Sequence, residues 1–276
     1  MNGTAIIGRM ATAPLRSRVA SSGFAPLRVL RDAWQRLNFG AIVVVLALSP
    51  SSYSSRPMRT ALARHSWMDT APILPGFTLL SALLTVVITR IVVVTARSYG
   101  LTQYALEMVV RVLVLELIPL TAALFVALRC TIPNGAALAE MRRQGHDEDL
   151  RRRGRDPIVE EVLPRVLAGA FSTVTLAALS CVVATVLAYF AVYGGTVAGL
   201  PAYTRMFGHV FTPSVSLIFV LKTVFFSVAV AIIPIASGAE QIGRPGSREH
   251  AALQGLVRVF AVLLVLEAAS LVGNYY

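Results

Sequence analysis

Five ionisable side chains lie inside long apolar stretches of this chain. They are Arg90, Arg111, Glu116, Lys222 and Glu267. A charge at membrane depth is costly unless it is paired or hydrated, so such residues are candidates for function. Arg111 has a structural explanation, because Glu107 precedes it by one helical turn in the order that favours an ion pair.

Glu116 and Lys222 are predicted to lie at the same depth in two different helices. Glu116 comes ten residues into its apolar stretch and Lys222 eight residues into its own. At a rise of 1.5 Å per residue these depths are ~15 Å and ~12 Å, which agree within one helical turn. The two charges could form an ion pair that locks a bundle, or both could face a polar cavity. Pro119 and Pro234 are expected to loosen the two helices nearby.

Five apolar stretches must position these charges. They cover residues 73–96, 106–128, 166–193, 214–236 and 251–273. A helix needs about 20 mostly apolar residues to cross a bilayer, and within lipid only a helix or a closed barrel satisfies its own backbone. The chain is 56% hydrophobic and 14% charged, with a mean hydropathy of +0.70. We therefore predict an all-α, polytopic membrane protein with five transmembrane helices.

The distribution of basic residues predicts the orientation. Arginines are concentrated before residue 72 and in the segment 129–165, whereas the connections 97–105 and 194–213 hold one each. Basic residues favour the cytoplasmic side, so we expect a cytoplasmic N-terminus and a periplasmic C-terminus. The net charge of +11 follows from this pattern and does not indicate nucleic-acid binding.

Residues 1–72 are predicted to form a separate N-terminal segment. Within 24–39, apolar residues recur at helical spacing opposite an arginine-rich face, which is typical of an amphipathic helix lying at the membrane interface. The alternative is a soluble amphipathic helix that covers a partner. A short apolar run at 39–48 is too short to span, and the breakers in 49–72 predict a loop or re-entrant connection.

The segment 129–165 is predicted to be a cytoplasmic connection. Pro133-Asn134-Gly135 should break the chain after the second span, and Asp156-Pro157 is typical of a helix start. Between these points acidic and basic residues nearly cancel, which favours a short helix that docks on another protein over a patch that attracts anionic lipid. A solvated loop is the simpler alternative.

Four sequence blocks resemble the MlaE-type permeases. These blocks are Glu116-Leu117-Ile118-Pro119 with Ala122-Ala123-Leu124, Leu163-Pro164-Arg165-Val166-Leu167-Ala168-Gly169 after Asp156-Pro157, Leu221-Lys222-Thr223-Val224-Phe225, and Ile242-Gly243-Arg244 with Arg248. The Pro-Arg-Val-Leu-Ala-Gly block is the most specific of them. The resemblance covers roughly residues 73–273 and makes 73–276 the expected permease domain.

The resemblance implies the permease subunit of a bacterial ABC system that moves phospholipid or a related lipid. It also implies a homodimer in the inner membrane, two cytoplasmic ATPase subunits that hold ATP and magnesium, and a periplasmic MCE-domain lipid carrier. Family members place a glutamate, a neighbouring arginine and a lysine beside a lipid cavity. Glu116 and Lys222 match, but Leu115 stands where the family has arginine, and Ile118 replaces a glycine.

From the charges and the resemblance together we predict two sets of functional residues. The cavity set is Glu116, Lys222, Leu115, Pro119 and Arg90. The ATPase-coupling set is Glu140, Arg142, Arg143, Asp147, Glu148, Leu150, Arg151 and Asp156, with Arg244 and Arg248 in a second cytoplasmic loop. The coupling loop departs from the family pattern at Ala137 and across 145–150, which implies a dedicated ATPase partner or weakened coupling.

The chain itself is not expected to be an enzyme. It has no Gly-x-x-x-x-Gly-Lys-Ser/Thr motif, and its single lysine lies within a span, so ATP chemistry must occur in a partner. No cofactor or metal cluster is expected in this chain. Two alternatives to lipid transport are an anchoring subunit for an ATPase or MCE-domain partner, and an ion-coupled transporter that uses Glu116 and Lys222.

Overall fold

All the regular structure in the described residues is helical. The computed structural model describes residues 25–53, 56–240 and 248–275. Its helices are α1 (Ala25–Leu48), α2 (Arg56–Thr70), α3 (Leu74–Ser98), α4 (Thr102–Val109), α5 (Ile118–Val126), α6 (Ile132–Arg143), α7 (His146–Arg152), α8 (Leu163–Tyr193), α9 (Leu200–Val210), α10 (Pro213–Glu240) and α11 (Arg248–Tyr275). π-helical segments at Val110–Leu117, Ala127–Thr131 and Ile158–Val162 lengthen α4, α5 and α8.

Five of the described helices are long and apolar enough to cross a membrane, which confirms the predicted fold class. Their bounds are Arg56–Ser98, Tyr104–Arg143, Ile158–Tyr193, Pro213–Ser237 and Leu253–Asn274. Of the 18 most apolar consecutive residues in the second span, 61% are buried, against 28–33% in the other four spans. The second span therefore lies inside the bundle, and the others present apolar faces to lipid.

Small residues allow three of these helices to approach closely near α6. A Cβ on Gly135 would lie 2.7 Å from the carbonyl oxygen of Pro234, and a Cβ on Gly169 would lie 2.6 Å from Cγ2 of Thr131. Because apolar burial drives little association within lipid, close backbone packing of this kind holds helices together.

The predicted break at Pro133-Asn134-Gly135 is wrong. The second span continues through this sequence to Arg143 as one helix of 40 residues. Pro133 follows the π-helical turn Ala127–Thr131 within this helix, and Gly135 is held against α10. The chain turns only at Gly145, which has a φ of 81°.

The N-terminal predictions are corrected in two respects. The amphipathic segment 24–39 and the apolar run 39–48 form one helix, α1, whose second half packs against α10 through Val43 and Gly40. The predicted loop at 49–72 is largely the helix α2, and the hydroxyls of Thr70 and Ser172 are joined by a hydrogen bond of 2.7 Å. The interfacial location of α1 and the boundary at residue 72 stay predictions.

The connection between α8 and α10 contains a helix, α9, that the sequence analysis did not foresee. An aromatic pair joins it to α8, because the ring centroids of Tyr189 and Tyr203 are 5.1 Å apart. At the end of α9, Phe207 and Phe211 stack with centroids 4.3 Å apart. The Tyr203 hydroxyl donates to the carbonyl of Thr185 at 3.0 Å. Burial raises the pKa of Tyr203 to about 12, so this donor keeps its proton at physiological pH.

We expect Gly135→Ala to destabilise the protein, because the new methyl group would collide with the backbone of α10. The expected loss of unfolding free energy is about 1–3 kcal/mol, measured by denaturant unfolding in detergent. Gly76→Ala is the matched control, since nothing lies within 4 Å of its added Cβ. Equal stability of the two variants would contradict the close contact between α6 and α10.

Candidate functional site

Lys222 is the centre of a buried ionic cluster. Its Nζ forms ion pairs with Glu116 and with Glu267, the second at 2.8 Å, and it donates a hydrogen bond to the carbonyl of Leu115 at 3.2 Å. The side chain of Lys222 is 2% exposed, and those of Glu116 and Glu267 are 10% and 12% exposed. We call Glu116, Lys222 and Glu267 the ionic triad. It joins the second, fourth and fifth spans.

Pro119 explains why the second helix offers backbone acceptors at this level. Proline has no N–H, so the carbonyl four residues earlier in an α-helix, or five earlier in a π-helical turn, loses its donor. The two candidate carbonyls are those of Leu115 and Val114, and the proline removes the donor of one of them. The first accepts from Lys222, and the second accepts from Sγ of Cys181 at 3.4 Å. Side chains of two other helices therefore bind this part of the backbone.

Two further side chains complete the surroundings of the triad. Nδ2 of Asn274 donates to Oε1 of Glu116 at 3.4 Å, and the ring of Phe226 lies with its centroid 5.7 Å from Nζ of Lys222. A desolvated ammonium beside an aromatic face gains a cation–π attraction. Lys222 is therefore stabilised as a cation on several sides.

The predicted meeting of Glu116 and Lys222 at one depth is confirmed as a direct ion pair. Glu267 and Asn274 were not predicted as members of the site. Its depth could have identified Glu267. The fifth span ends at Asn274, seven residues after Glu267, so Glu267 lies about 10 Å from that end of the span by the rise of a helix. The predicted pair of Arg111 with Glu107 is also confirmed, at 3.0 Å.

The other predicted cavity residues fall into two groups. Leu115 and Pro119 are buried beside the triad, where Leu115 contributes its carbonyl. Arg90 lies on an exposed face of α3, and no described contact joins it to the triad. The grouping of Arg90 with the cavity rests on its charge and stays a prediction.

A comparison with known families matches residues 62–272 to the model of Permease MlaE. The match covers most of the chain. The chain belongs to the MlaE permease family. No curated protein matches it significantly. Family membership and the five apolar helices make it a multi-pass membrane permease component of a transport complex, and not itself a catalytic subunit.

In this permease, ion pairs organise the predicted coupling segment. Arg142 pairs with Asp147 at 2.9 Å and thereby joins α6 to α7. Arg143 pairs with Glu140 at 2.6 Å within α6. Leu150 is buried and anchors α7, whereas Glu148 and Arg151 are exposed. The acidic residues of α7 precede the basic ones, an order that the helix dipole favours.

A second set of contacts ties the coupling segment to α8. Asp156 accepts a hydrogen bond from the backbone N–H of Ile158 at 2.9 Å, as the predicted helix start requires. Arg165 pairs with Glu161 at 2.5 Å and reaches Sδ of Met141 at 3.7 Å. Nε2 of His146 lies 3.7 Å from the same glutamate. Helices α6, α7 and α8 are thus connected around Glu161.

The second predicted cytoplasmic loop is only partly described. Arg244 lies outside the described residues, and Arg248 begins α11. The roles of both arginines, like those of the coupling set, stay predictions.

We expect Lys222→Met to destabilise the protein by about 3–5 kcal/mol, because two buried carboxylates lose their counter-charge. Unfolding in detergent measures the change. Adding Glu116→Gln and Glu267→Gln should restore most of the loss, since no unpaired charge then remains. Arg205→Met, which removes an exposed cation from α9, should change the stability by less than about 0.5 kcal/mol. A triple variant no more stable than Lys222→Met would contradict the charge argument.

Proposed function

We propose that this chain is the permease subunit of a bacterial ABC transporter that moves phospholipid or a related lipid between the inner membrane and a periplasmic MCE-domain carrier. Two copies would form the transmembrane unit, and separate ATPase subunits would supply the energy. The family match supports the permease role.

The observation that carries the proposal is the ionic triad at mid-span. The triad lies on three of the five spans, and each carboxylate retains some exposure within the single chain. Polar groups at this depth can bind a lipid head group while apolar helix faces hold its acyl chains. The triad is therefore the proposed head-group site.

The second span supports a route from the ATPase to the triad. It runs without interruption from Tyr104 to Arg143, so Glu116 and the coupling helix α6 belong to one continuous element. Three-quarters of the way along, Gly135 and Cys130 are buried against neighbouring helices. A displacement of α6 driven by ATP binding in the partner would be transmitted along this helix to the π-helical turn that holds Glu116.

Transport in a reconstituted complex tests the proposal. The chain would be co-expressed with candidate ATPase and MCE-domain partners, and ATP-dependent transfer of fluorescent phospholipid from proteoliposomes to the carrier would be measured. We expect Lys222→Ala to reduce transfer by about tenfold or more, since one buried charged contact is worth at least 1.4 kcal/mol. Leu83→Ala, on the lipid-facing side of α3, should transfer lipid normally.

Two outcomes would contradict lipid transport by this chain. Unchanged transfer and lipid co-purification in Lys222→Ala would remove the triad from the mechanism. ATP hydrolysis that does not respond to lipid, together with no transfer by the wild-type complex, would favour the anchoring role instead.

The ion pair between Arg142 and Asp147 allows a separate test of coupling. Arg142→Asp would place two like charges between α6 and α7, and we expect less lipid transferred per ATP hydrolysed. The reversed pair, Arg142→Asp with Asp147→Arg, should recover much of the ratio because the attraction is restored. If the single and double variants couple equally well, this contact has no role in relaying the ATPase motion.

A further inference from the structure

The ionic triad contains more negative than positive charge. Among the described residues, Lys222 is the one cation in contact with the two glutamates, and it faces the carboxylates of both Glu116 and Glu267. Position 115, next to Glu116, is a leucine that is 3% exposed and adds no charge to the site. A site built from these groups has one uncompensated carboxylate, which a cationic ligand would balance.

The open side of the triad is its negative side. The carboxylates of Glu116 and Glu267 are five to six times more exposed than the lysine between them, at 10% and 12% against 2%. A ligand that approaches the triad therefore reaches the two glutamate side chains before the lysine. Lys222 is occupied on its far side by the Leu115 carbonyl and the Phe226 ring.

Unused acceptor atoms lie next to these carboxylates. Oδ1 of Asn274 and Oγ of Ser270 are buried without a hydrogen-bond partner. Asn274 is directed into the site, because its Nδ2 donates to Glu116. Ser270, which is 8% exposed, lies one turn after Glu267 and one turn before Asn274, on the same face of α11. Buried polar atoms without a partner are rare and indicate a missing donor.

We propose that the triad binds the protonated primary amine of a lipid head group. An ammonium group has three N–H donors and a positive charge, which match the surplus carboxylate and the unused oxygens of Ser270 and Asn274. This inference rests on the proposed function and narrows its substrate class to amine-bearing lipids. Anionic head groups are disfavoured, because they would meet like charge at the open side.

Head-group selectivity of the purified full-length complex provides the test. The complex would be equilibrated with vesicles of equal parts phosphatidylethanolamine, phosphatidylglycerol and phosphatidylcholine, and the bound lipid would be quantified by mass spectrometry. We expect wild-type protein to retain phosphatidylethanolamine about tenfold over phosphatidylglycerol, the ratio that one charged contact of 1.4 kcal/mol gives. Glu267→Gln should lose this preference. Glu107→Gln, the same chemical change at the Arg111 pair, should keep it.

A second measurement uses only the wild-type protein, so it does not depend on a variant that folds. Stepwise N-methylation of the ethanolamine removes N–H donors but keeps the charge, and we expect retention to fall with each methyl group. Equal retention of phosphatidylethanolamine and phosphatidylcholine would overturn the primary-amine assignment. Equal retention of phosphatidylethanolamine and phosphatidylglycerol would overturn the proposal as a whole and leave a proton as the neutralising cation.

The transport assay separates this inference from the function on which it rests. If ATP-dependent transfer occurs without head-group preference, the permease role stands and the amine site is wrong. If no lipid of any head group binds or moves, the proposed function itself fails.

Discussion

The bond from Lys222 to the backbone of Leu115 connects the fold of this permease to its site. A proline at position 119 leaves the preceding turn of the second span short of N–H donors, and a lipid-embedded helix has no water to replace them. Lys222 supplies one donor from α10, and Cys181 supplies another from α8. The same ammonium then pairs with two carboxylates. The contacts of Lys222 therefore satisfy the helix backbone and balance the buried charge together, so a change in one affects the other.

That arrangement fixes where the second span must lie. A helix with orphan carbonyls cannot face lipid, so its polar turn has to be enclosed by neighbours, and this span is the most buried of the five. Around Gly135, the enclosure of the second span depends on small side chains instead of charge. Gly135 and Gly169 bring α6, α8 and α10 to near contact there. The second span is thus held by an ion pair at Glu116 and by close packing at Gly135, with more than ten residues of helix between the two points.

Much of this structure could be predicted from the sequence because lipid imposes simple rules. Apolar length identified five spans, and equal depth identified the partner of Glu116. The errors arose where a local signal was read without its tertiary context. Pro133-Asn134-Gly135 has the composition of a turn, yet a proline after a π-helical turn and a glycine against a neighbouring backbone both occur within this helix. Glu267 was recognised as a buried charge, but its place in the triad depends on the packing of α11 against α10, which no local pattern encodes.

The triad is poorly explained as a device for stability alone. Taking charges out of water costs several kcal/mol for each ion, and apolar residues of similar volume often replace a buried ion pair without loss. A lysine with one carboxylate would already satisfy charge balance, and an apolar side chain would satisfy packing. The second carboxylate, Glu267, adds a desolvation cost that Lys222, already paired with Glu116, offsets only in part, beside acceptors that have no donor. A group from outside the chain that brings both charge and donors removes these costs together, and this is the physical argument for a ligand at the triad.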